Sequence, residues 1–145
     1  MKDQYGRTVD YLRLSVTDLC NYRCRYCMPP DGVEKLPHSS ILSLEEYVEI
    51  AAAAVGLGIT KIRVTGGEPL VRRGIVELCR ALRAIPGLRE LCLTTNGSQL
   101  TALATPLRDA GVDRLNISLD TLHPEHFRAM TRTGSLEDVL SGIQA

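Results

Sequence analysis

The sequence predicts an α/β fold built on a parallel sheet, and three observations support this prediction. Short alternating segments typical of strands are followed by longer segments typical of helices, four times in succession. Each strand segment alternates polar and apolar residues, so the sheet is expected to have two unlike faces. Every distinctive loop follows the carboxyl end of a strand, where parallel α/β folds bind their ligands. No linker divides the 145 residues, and we expect one domain-sized unit.

Composition narrows the classes of function. Basic and acidic residues number 17 each, and the resulting net charge of zero argues against a surface that binds nucleic acid. Hydrophobic residues make up 44% of the chain, as in globular proteins. No apolar run approaches the length needed to cross a membrane, so no membrane partner is expected. Unpaired cysteines are typical of a reducing compartment, and we expect a cytoplasmic location.

The strands and helices follow from local signals in chain order. The first strand is predicted at 11–17, and a capping box formed by Ser43 and Glu46 predicts a helix that runs to about Leu57. The remaining elements are a strand at 61–65, a helix at 74–84, a strand at 90–95, a helix at 99–110, a strand at 114–119, a short helix after Pro124, and a helix from about Ser135 to the last residue.

The two faces of the predicted sheet differ in polarity. A closed barrel filled by its own side chains should be apolar inside, and a doubly wound sheet should be apolar on both faces. This pattern instead favours helices over one face and a polar, ligand-filled cavity on the other. The apolar face carries Leu12, Leu14, Val16, Ile62, Val64, Leu91, Leu93, Leu115, Ile117 and Leu119. The polar face carries Arg13, Ser15, Thr17, Lys61, Arg63, Thr65, Cys92, Thr94, Asn96, Asn116, Ser118 and Asp120.

Three cysteines, Cys20, Cys24 and Cys27, follow the first strand in a C-x3-C-x2-C spacing. Closely spaced thiolates on a loop can hold three irons of an iron–sulfur cube and leave the fourth open to another ligand. Zinc is the alternative, although zinc sites usually have paired knuckles or histidines, and the nearest histidine is His38. A disulfide is disfavoured because the chain has five cysteines and we expect no signal peptide. Spacing alone favours a cluster and leaves zinc open.

Four motifs together resemble the radical S-adenosylmethionine (SAM) superfamily and, within it, the GTP 3′,8-cyclase family. C-N-Y-R-C-R-Y-C at 20–27 and G-G-E-P at 66–69 are superfamily motifs. The wider matches are the segments at 11–30, 61–72, 93–97 and 115–122, and the resemblance covers nearly the whole chain. It implies a partial (β/α) TIM-like barrel of the radical SAM type, limited to about its first four strand–helix units. Residues 1–145 would be the N-terminal part of a radical SAM core domain that lacks its C-terminal remainder.

The resemblance implies a reaction. Cys20, Cys24 and Cys27 would ligate a [4Fe–4S] cluster whose open iron binds SAM. Reductive cleavage of SAM would give a 5′-deoxyadenosyl radical that abstracts the 3′ hydrogen of GTP, and the ribose radical would attack C8 of guanine. The product, (8S)-3′,8-cyclo-7,8-dihydroguanosine 5′-triphosphate, belongs to the first step of molybdenum cofactor biosynthesis. The cofactor carries the chemistry of this lyase, so no side chain is assigned as catalytic.

Motif position also implies binding roles for individual residues. SAM would be contacted by Tyr26, Gly67 and Ser118, and GTP by Arg13, Arg63 and Thr94. Arginine suits a triphosphate because its guanidinium makes charge-assisted, often bidentate hydrogen bonds. Glycine at position 67 would leave the backbone free to meet the amino group of SAM. Glu68 could contact that amino group or hold its own loop, and Cys79 and Cys92 are not expected to be ligands.

The resemblance further implies an electron donor as partner and is compatible with a homodimer of the full-length family. Family members continue into a C-terminal region with a second cluster. We therefore expect this chain to be a fragment that binds the first cluster poorly and does not turn over GTP alone. Two alternatives stay open: a radical SAM enzyme with a different substrate, against which Arg13, Arg63 and Thr94 argue, and a non-catalytic metal-binding fragment.

Overall fold

A four-stranded parallel sheet forms the centre of the molecule. The computed structural model describes residues 2–34, 36–37 and 40–145, so His38 lies outside the described residues. The strands lie in the order β1-β2-β3-β4, and every neighbouring pair is parallel. Their bounds are Tyr11–Ser15 for β1, Lys61–Thr65 for β2, Glu90–Thr95 for β3 and Arg114–Ile117 for β4. The predicted parallel α/β architecture is confirmed.

Five α-helices follow the strands, close to the predicted positions. At the start of the first helix, Ser43 Oγ accepts from the Glu46 amide (3.2 Å) and Glu46 Oε2 accepts from the Ser43 amide (2.7 Å), which confirms the capping box. The helices are α1 at Leu44–Gly56, α2 at Ile75–Arg83, α3 at Leu100–Asp109, α4 at Pro124–Thr131 and α5 at Leu136–Gln144. A short 3₁₀ helix at Pro69–Val71 was not predicted. No helix in the described part of the chain has both the length and the apolar character needed to cross a membrane.

The apolar face of the sheet forms the core, as the alternation predicted. Its central side chains on β2 and β3 are fully buried, and they pack against the inner faces of α1, α2 and α3. The main contributors are Leu14, Ile62, Val64, Leu91 and Leu93 from the sheet, with Tyr47, Ala51, Ile75, Leu78, Leu82, Leu100 and Leu107 from the helices. Burial of this apolar area is the main favourable contribution to folding. The opposite face keeps the polar side chains.

The ends of two strands differ from the prediction. β1 ends at Ser15 rather than at residue 17, because the carbonyl of Thr17 accepts from Gly67 (2.7 Å) in the next loop instead of continuing the ladder. β4 ends at Ile117 rather than at residue 119, because its partner β3 ends at Thr95. β4 is an edge strand, and its Leu115, predicted to lie on the apolar face, is 36% exposed.

Helices α3 and α5 pack closely at a glycine. A Cβ atom added to Gly142 of α5 would lie 2.6 Å from the carbonyl oxygen of Gly97 and 2.9 Å from Cβ of Leu100. Gly56, in the last turn of α1, has no atom within 4 Å of the same added position. The two helical glycines therefore differ in packing but share the conformational freedom that glycine adds to the unfolded chain.

We expect Gly142→Ala to lower the free energy of unfolding by about 1–3 kcal/mol, because the added methyl group forces α5 away from α3. Gly56→Ala is the matched control and should raise it by about 0.5–1 kcal/mol through helix propensity alone. Urea denaturation followed by circular dichroism measures both values. Equal effects of the two substitutions would contradict the packing argument.

Candidate metal and ligand site

The cysteine loop, residues 17–28, leaves the carboxyl end of β1. Cys20 and Cys24 are partly buried and Cys27 is exposed. A tight turn shapes the ligand segment, because the amides of Cys27 and Met28 both donate to the carbonyl of Cys24 (3.0 and 2.9 Å). The Tyr22 amide lies 3.3 Å from Cys20 Sγ, and Asn96 Nδ2 lies 3.9 Å from the same sulfur. N–H groups directed at sulfur are one means by which proteins tune iron–sulfur clusters.

The electrostatics of the Cys20 and Cys24 thiols suit the binding of a cationic group. Burial raises the pKa of Cys20 and of Cys24. The negative charges of Glu68 and Cys27 add to the increase at Cys20, and those of Cys20 and Cys27 add to the increase at Cys24. A metal centre would displace the thiol protons and relieve that repulsion. Within the described ranges, no group of three His, Cys, Asp or Glu side chains is arranged to hold a single metal ion. A cluster needs a wider arrangement, since each thiolate binds a different iron, and three soft ligands on one loop fit it.

The glycine loop, residues 66–69, lies against the cysteine loop. The amides of Gly67 and Glu68 donate to the carbonyls of Thr17 (2.7 Å) and Leu19 (2.8 Å). A Cβ atom at Gly67 would lie 2.6 Å from the carbonyl oxygen of Asp18. Glycine is therefore required where the two backbones approach each other, which is a structural reason beyond the predicted contact with SAM.

The side chain of Glu68 connects two loops from inside the protein. It is 1% exposed, and Oε1 accepts from the Leu70 amide (3.0 Å) and from Thr95 Oγ1 (2.8 Å). Oε2 accepts from the Asn96 amide (2.6 Å). Burial raises the pKa of Glu68, and the three hydrogen bonds oppose that increase. Of the two roles left open by the sequence, the described contacts support the one in which this carboxylate holds the loops.

Polar side chains connect the cysteine loop to the loops that follow β3 and β4. Asn96 Nδ2 donates to Asn21 Oδ1 (2.8 Å), and Asn21 Nδ2 donates to Ser98 Oγ (2.9 Å). Tyr26 donates its hydroxyl to Asp120 Oδ2 (2.8 Å), and this bond raises the pKa of the phenol. Tyr26 is nevertheless 67% exposed, so most of its side chain stays accessible.

The polar face of the sheet carries a row of cationic groups. Arg13 and Arg63 are register partners on β1 and β2, so two like charges stand side by side, an arrangement that an anion would stabilise. Arg63 donates through Nε to the Tyr11 hydroxyl (2.7 Å) and through Nη1 to Thr94 Oγ1 (3.3 Å). Glu90 Oε1 pairs with Lys61 (3.0 Å) and Arg114 (3.2 Å). Arg63, by contrast, has neutral partners, which leaves its charge available to a ligand.

The sequence of the chain assigns its family. A family model described as the radical SAM superfamily matches residues 14–145. The chain belongs to the radical SAM superfamily. Two solved structures share its fold. Methylornithine synthase has a TM-score of 0.69 and 17% sequence identity, and the match covers 97% of this chain and 42% of that one. BtrN in complex with AdoMet and 2-DOIA has a TM-score of 0.61 and 18% identity, and the match covers 93% of this chain and 55% of that one. The sheet is therefore part of a TIM-like barrel of the radical SAM type.

Curated relatives of this radical SAM chain include proteins named GTP 3′,8-cyclase. The protein of Pseudomonas entomophila is 64% identical over 143 residues, which are 99% of this chain and 42% of the relative. The protein of Geobacter sulfurreducens is 62% identical over 143 residues, which are 99% of this chain and 44% of the relative. The chain thus spans less than half the length of these relatives.

The radical SAM motifs meet at one edge of the sheet. The three cysteines and Tyr26 share one loop, Gly67 lies in the loop packed on it, and the Ser118 amide donates to the carbonyl of Thr95 (2.9 Å) after β4. Arg13, Arg63 and Thr94 lie on the polar face, and the last two are in contact. The assignment of these residues to SAM and GTP stays a prediction.

Four residues have environments that the sequence motifs did not reveal. Cys79 is buried in the core, where burial raises its pKa to about 12, and Cys92 is fully buried although its neighbours on that face are polar. Tyr11 was not singled out, although it shares the parity of Arg13 on β1, a signal that could have placed it beside Arg63. Thr95 was not singled out either, because its contact with Glu68 crosses two loops.

We expect Glu68→Gln to lower the free energy of unfolding by about 2–3 kcal/mol, because an amide cannot accept hydrogen bonds through its nitrogen and leaves a buried donor unpaired. Glu49→Gln on the exposed side of α1 is the control and should stay within about 0.5 kcal/mol of the parent. Urea denaturation gives both values. A Glu68→Gln protein as stable as the parent would show that the buried carboxylate does not hold the two loops.

Proposed function

We propose that the chain is the N-terminal part of a radical SAM core domain in a GTP 3′,8-cyclase. The whole protein would convert GTP to (8S)-3′,8-cyclo-7,8-dihydroguanosine 5′-triphosphate in the first step of molybdenum cofactor biosynthesis. The observation that supports this most strongly is the 60–64% identity over 99% of the chain to relatives of that name. Since the chain spans less than half of those relatives, turnover of GTP belongs to the longer protein.

The cysteine loop would hold a [4Fe–4S] cluster through Cys20, Cys24 and Cys27. When bound there, the reduced cluster and SAM supply the 5′-deoxyadenosyl radical that abstracts the 3′ hydrogen of GTP. The chain positions the ligands. The Tyr22 amide and Asn96 orient Cys20 Sγ, and the turn after Cys24 folds Cys27 back towards Cys24. Three thiolates leave one iron free for SAM.

Binding of SAM would involve the loops around the cysteines. The exposed ring of Tyr26, fixed at its hydroxyl by Asp120, would lie beside the adenine. The backbone at Gly67 would meet the amino group, and Ser118, exposed after β4, would donate to SAM. These contacts would come from three loops that share one edge of the sheet.

Binding of GTP would use the polar face. Arg13 and Arg63 would make charge-assisted hydrogen bonds to the triphosphate, and Thr94 would donate beside them. The Tyr11 and Thr94 hydroxyls hold the Arg63 guanidinium, so less side-chain entropy is lost on binding. An electron donor is the other expected partner. The five free cysteines support a location in the cytoplasm.

Anaerobic reconstitution with iron and sulfide tests the cluster. Even at low cluster occupancy, we expect the reduced protein to give a [4Fe–4S] EPR signal that changes when SAM is added, because SAM binds the open iron. Cys20→Ser should lose most of the iron, whereas Cys79→Ser, which removes a buried core thiol, should keep it. A zinc-loaded protein with no cluster signal would contradict the proposal and favour a non-catalytic metal-binding chain.

Titration with GTP tests the polar face. We expect Arg63→Lys to weaken GTP binding about tenfold, because lysine loses the bidentate geometry and the hydroxyl contacts that hold the guanidinium. Arg108→Lys is the control. It makes the same substitution on the exposed side of α3, away from the polar face, and should bind GTP like the parent. Equal GTP affinity of Arg63→Lys and the parent would show that the polar face does not bind the triphosphate, and would favour a radical SAM enzyme with another substrate.

A further inference from the structure

We propose that Arg132 is a positioning residue for the cysteine loop. Its Nη1 donates to the carbonyl oxygens of Arg23 (2.7 Å) and Met28 (3.0 Å). These two residues flank the C-R-Y-C segment directly, one before Cys24 and one after Cys27. One guanidinium nitrogen therefore ties together both ends of the segment that carries two of the three cysteines. The proposal rests on the proposed function, in which this segment ligates the cluster.

The backbone at Arg132 adopts a conformation that residues other than glycine rarely adopt. Its φ is 63° and its ψ is −43°, and it is the only residue other than glycine with a positive φ among the described ones. The Thr133 amide donates to the carbonyl of Thr131 (2.8 Å), which closes a three-residue γ-turn centred on Arg132. Such turns are rare and strained, and they persist where surrounding contacts determine them.

Several of the surrounding contacts join the end of α4 to the cysteine loop. Apart from Arg132, hydrogen bonds reach alternate residues of the loop from the α4 terminus. They are Arg23 N to Thr131 O (3.0 Å), Arg25 N to Met130 O (2.9 Å) and Thr133 Oγ1 to Asn21 O (3.1 Å). The ring of Tyr22 packs edge-on against Phe127, with centroids 6.0 Å apart. These contacts hold the loop against α4, and Arg132 connects the two ends of the ligand segment.

This arrangement has a physical consequence for ligand binding. Three thiolates repel each other, and a loop that is free to open would separate them before a cluster arrives. A guanidinium that bridges the two ends of the segment lowers that freedom. Residues outside the ligand set that orient ligands typically change metal affinity 10–100-fold when they are replaced.

Two substitutions separate the side chain from the backbone strain. Arg132→Gly removes the guanidinium, and glycine adopts a positive φ without strain. A loss of loop protection or of iron loading in this variant therefore cannot be attributed to backbone strain. Arg132→Lys keeps the charge and the strain but lacks the planar fork. Arg128→Ala is the control: it removes an arginine from the same helix whose Nη1 donates to the carbonyl of Gly134 (3.4 Å), not to the cysteine loop.

Hydrogen exchange of the metal-free chain is the first measurement. For Arg132→Gly we expect the amides of Cys27 and Met28 to exchange about tenfold faster than in the parent, with β2 and β3 unchanged. The exchange rates of Arg132→Lys should lie between those of Arg132→Gly and the parent, and those of Arg128→Ala should match the parent. Unchanged protection in the loop would overturn the proposal. Faster exchange spread evenly over the whole chain would also overturn it, since the residue would then act on global stability.

Iron loading is the second measurement, made by titrating ferrous iron and sulfide anaerobically. Arg132→Gly should weaken cluster binding about tenfold, and the EPR signal of the clusters that do form should broaden as the ligand geometry becomes heterogeneous. Equal loading by the variant and the parent would overturn the proposal. Cys20→Ser identifies a failure of the proposed function instead: if it loads as much iron as the parent, the cluster does not bind at this loop.

Discussion

The parallel register of the four strands is the constraint on which the site depends. In a parallel sheet the carboxyl ends of all strands meet at one edge, so the loops that follow them become neighbours. The cysteine loop, the glycine loop, Asn96 and Asp120 reach that edge from four separate parts of the sequence. The buried face of the same strands packs on α1, α2 and α3, which leaves the polar face free for a ligand.

Buried polar contacts then fix the loops that the sheet has brought together. The Glu68 carboxylate accepts three hydrogen bonds from two loops, and separating them would leave a buried charge without its partners. On the other side, α4 holds the cysteine loop through Tyr22, Phe127 and Arg132. The loop is thus held from the sheet and from α4, while Cys27 and Tyr26 stay exposed between these supports.

The charge that the polar face presents depends on which groups pair with its cationic side chains. Glu90 accepts from both Lys61 and Arg114, so the cations at that end of the face are paired with a carboxylate. Arg63 is held instead by two hydroxyl groups, beside Arg13 on the next strand. Neutral partners orient a guanidinium without cancelling its charge, which suits the binding of an anionic ligand.

Apart from the ends of β1 and β4, the strands and helices could be predicted from the sequence, as could the two faces of the sheet and the loop that carries the cysteines. These features depend on local periodicity, caps and spacing, which are visible within a few residues. Three contacts came from the folded structure alone: Glu68 holds two loops, Tyr11 orients Arg63, and Arg132 reaches Arg23 across 109 positions. Such contacts depend on how distant segments pack, and neither periodicity nor motif spacing carries that information.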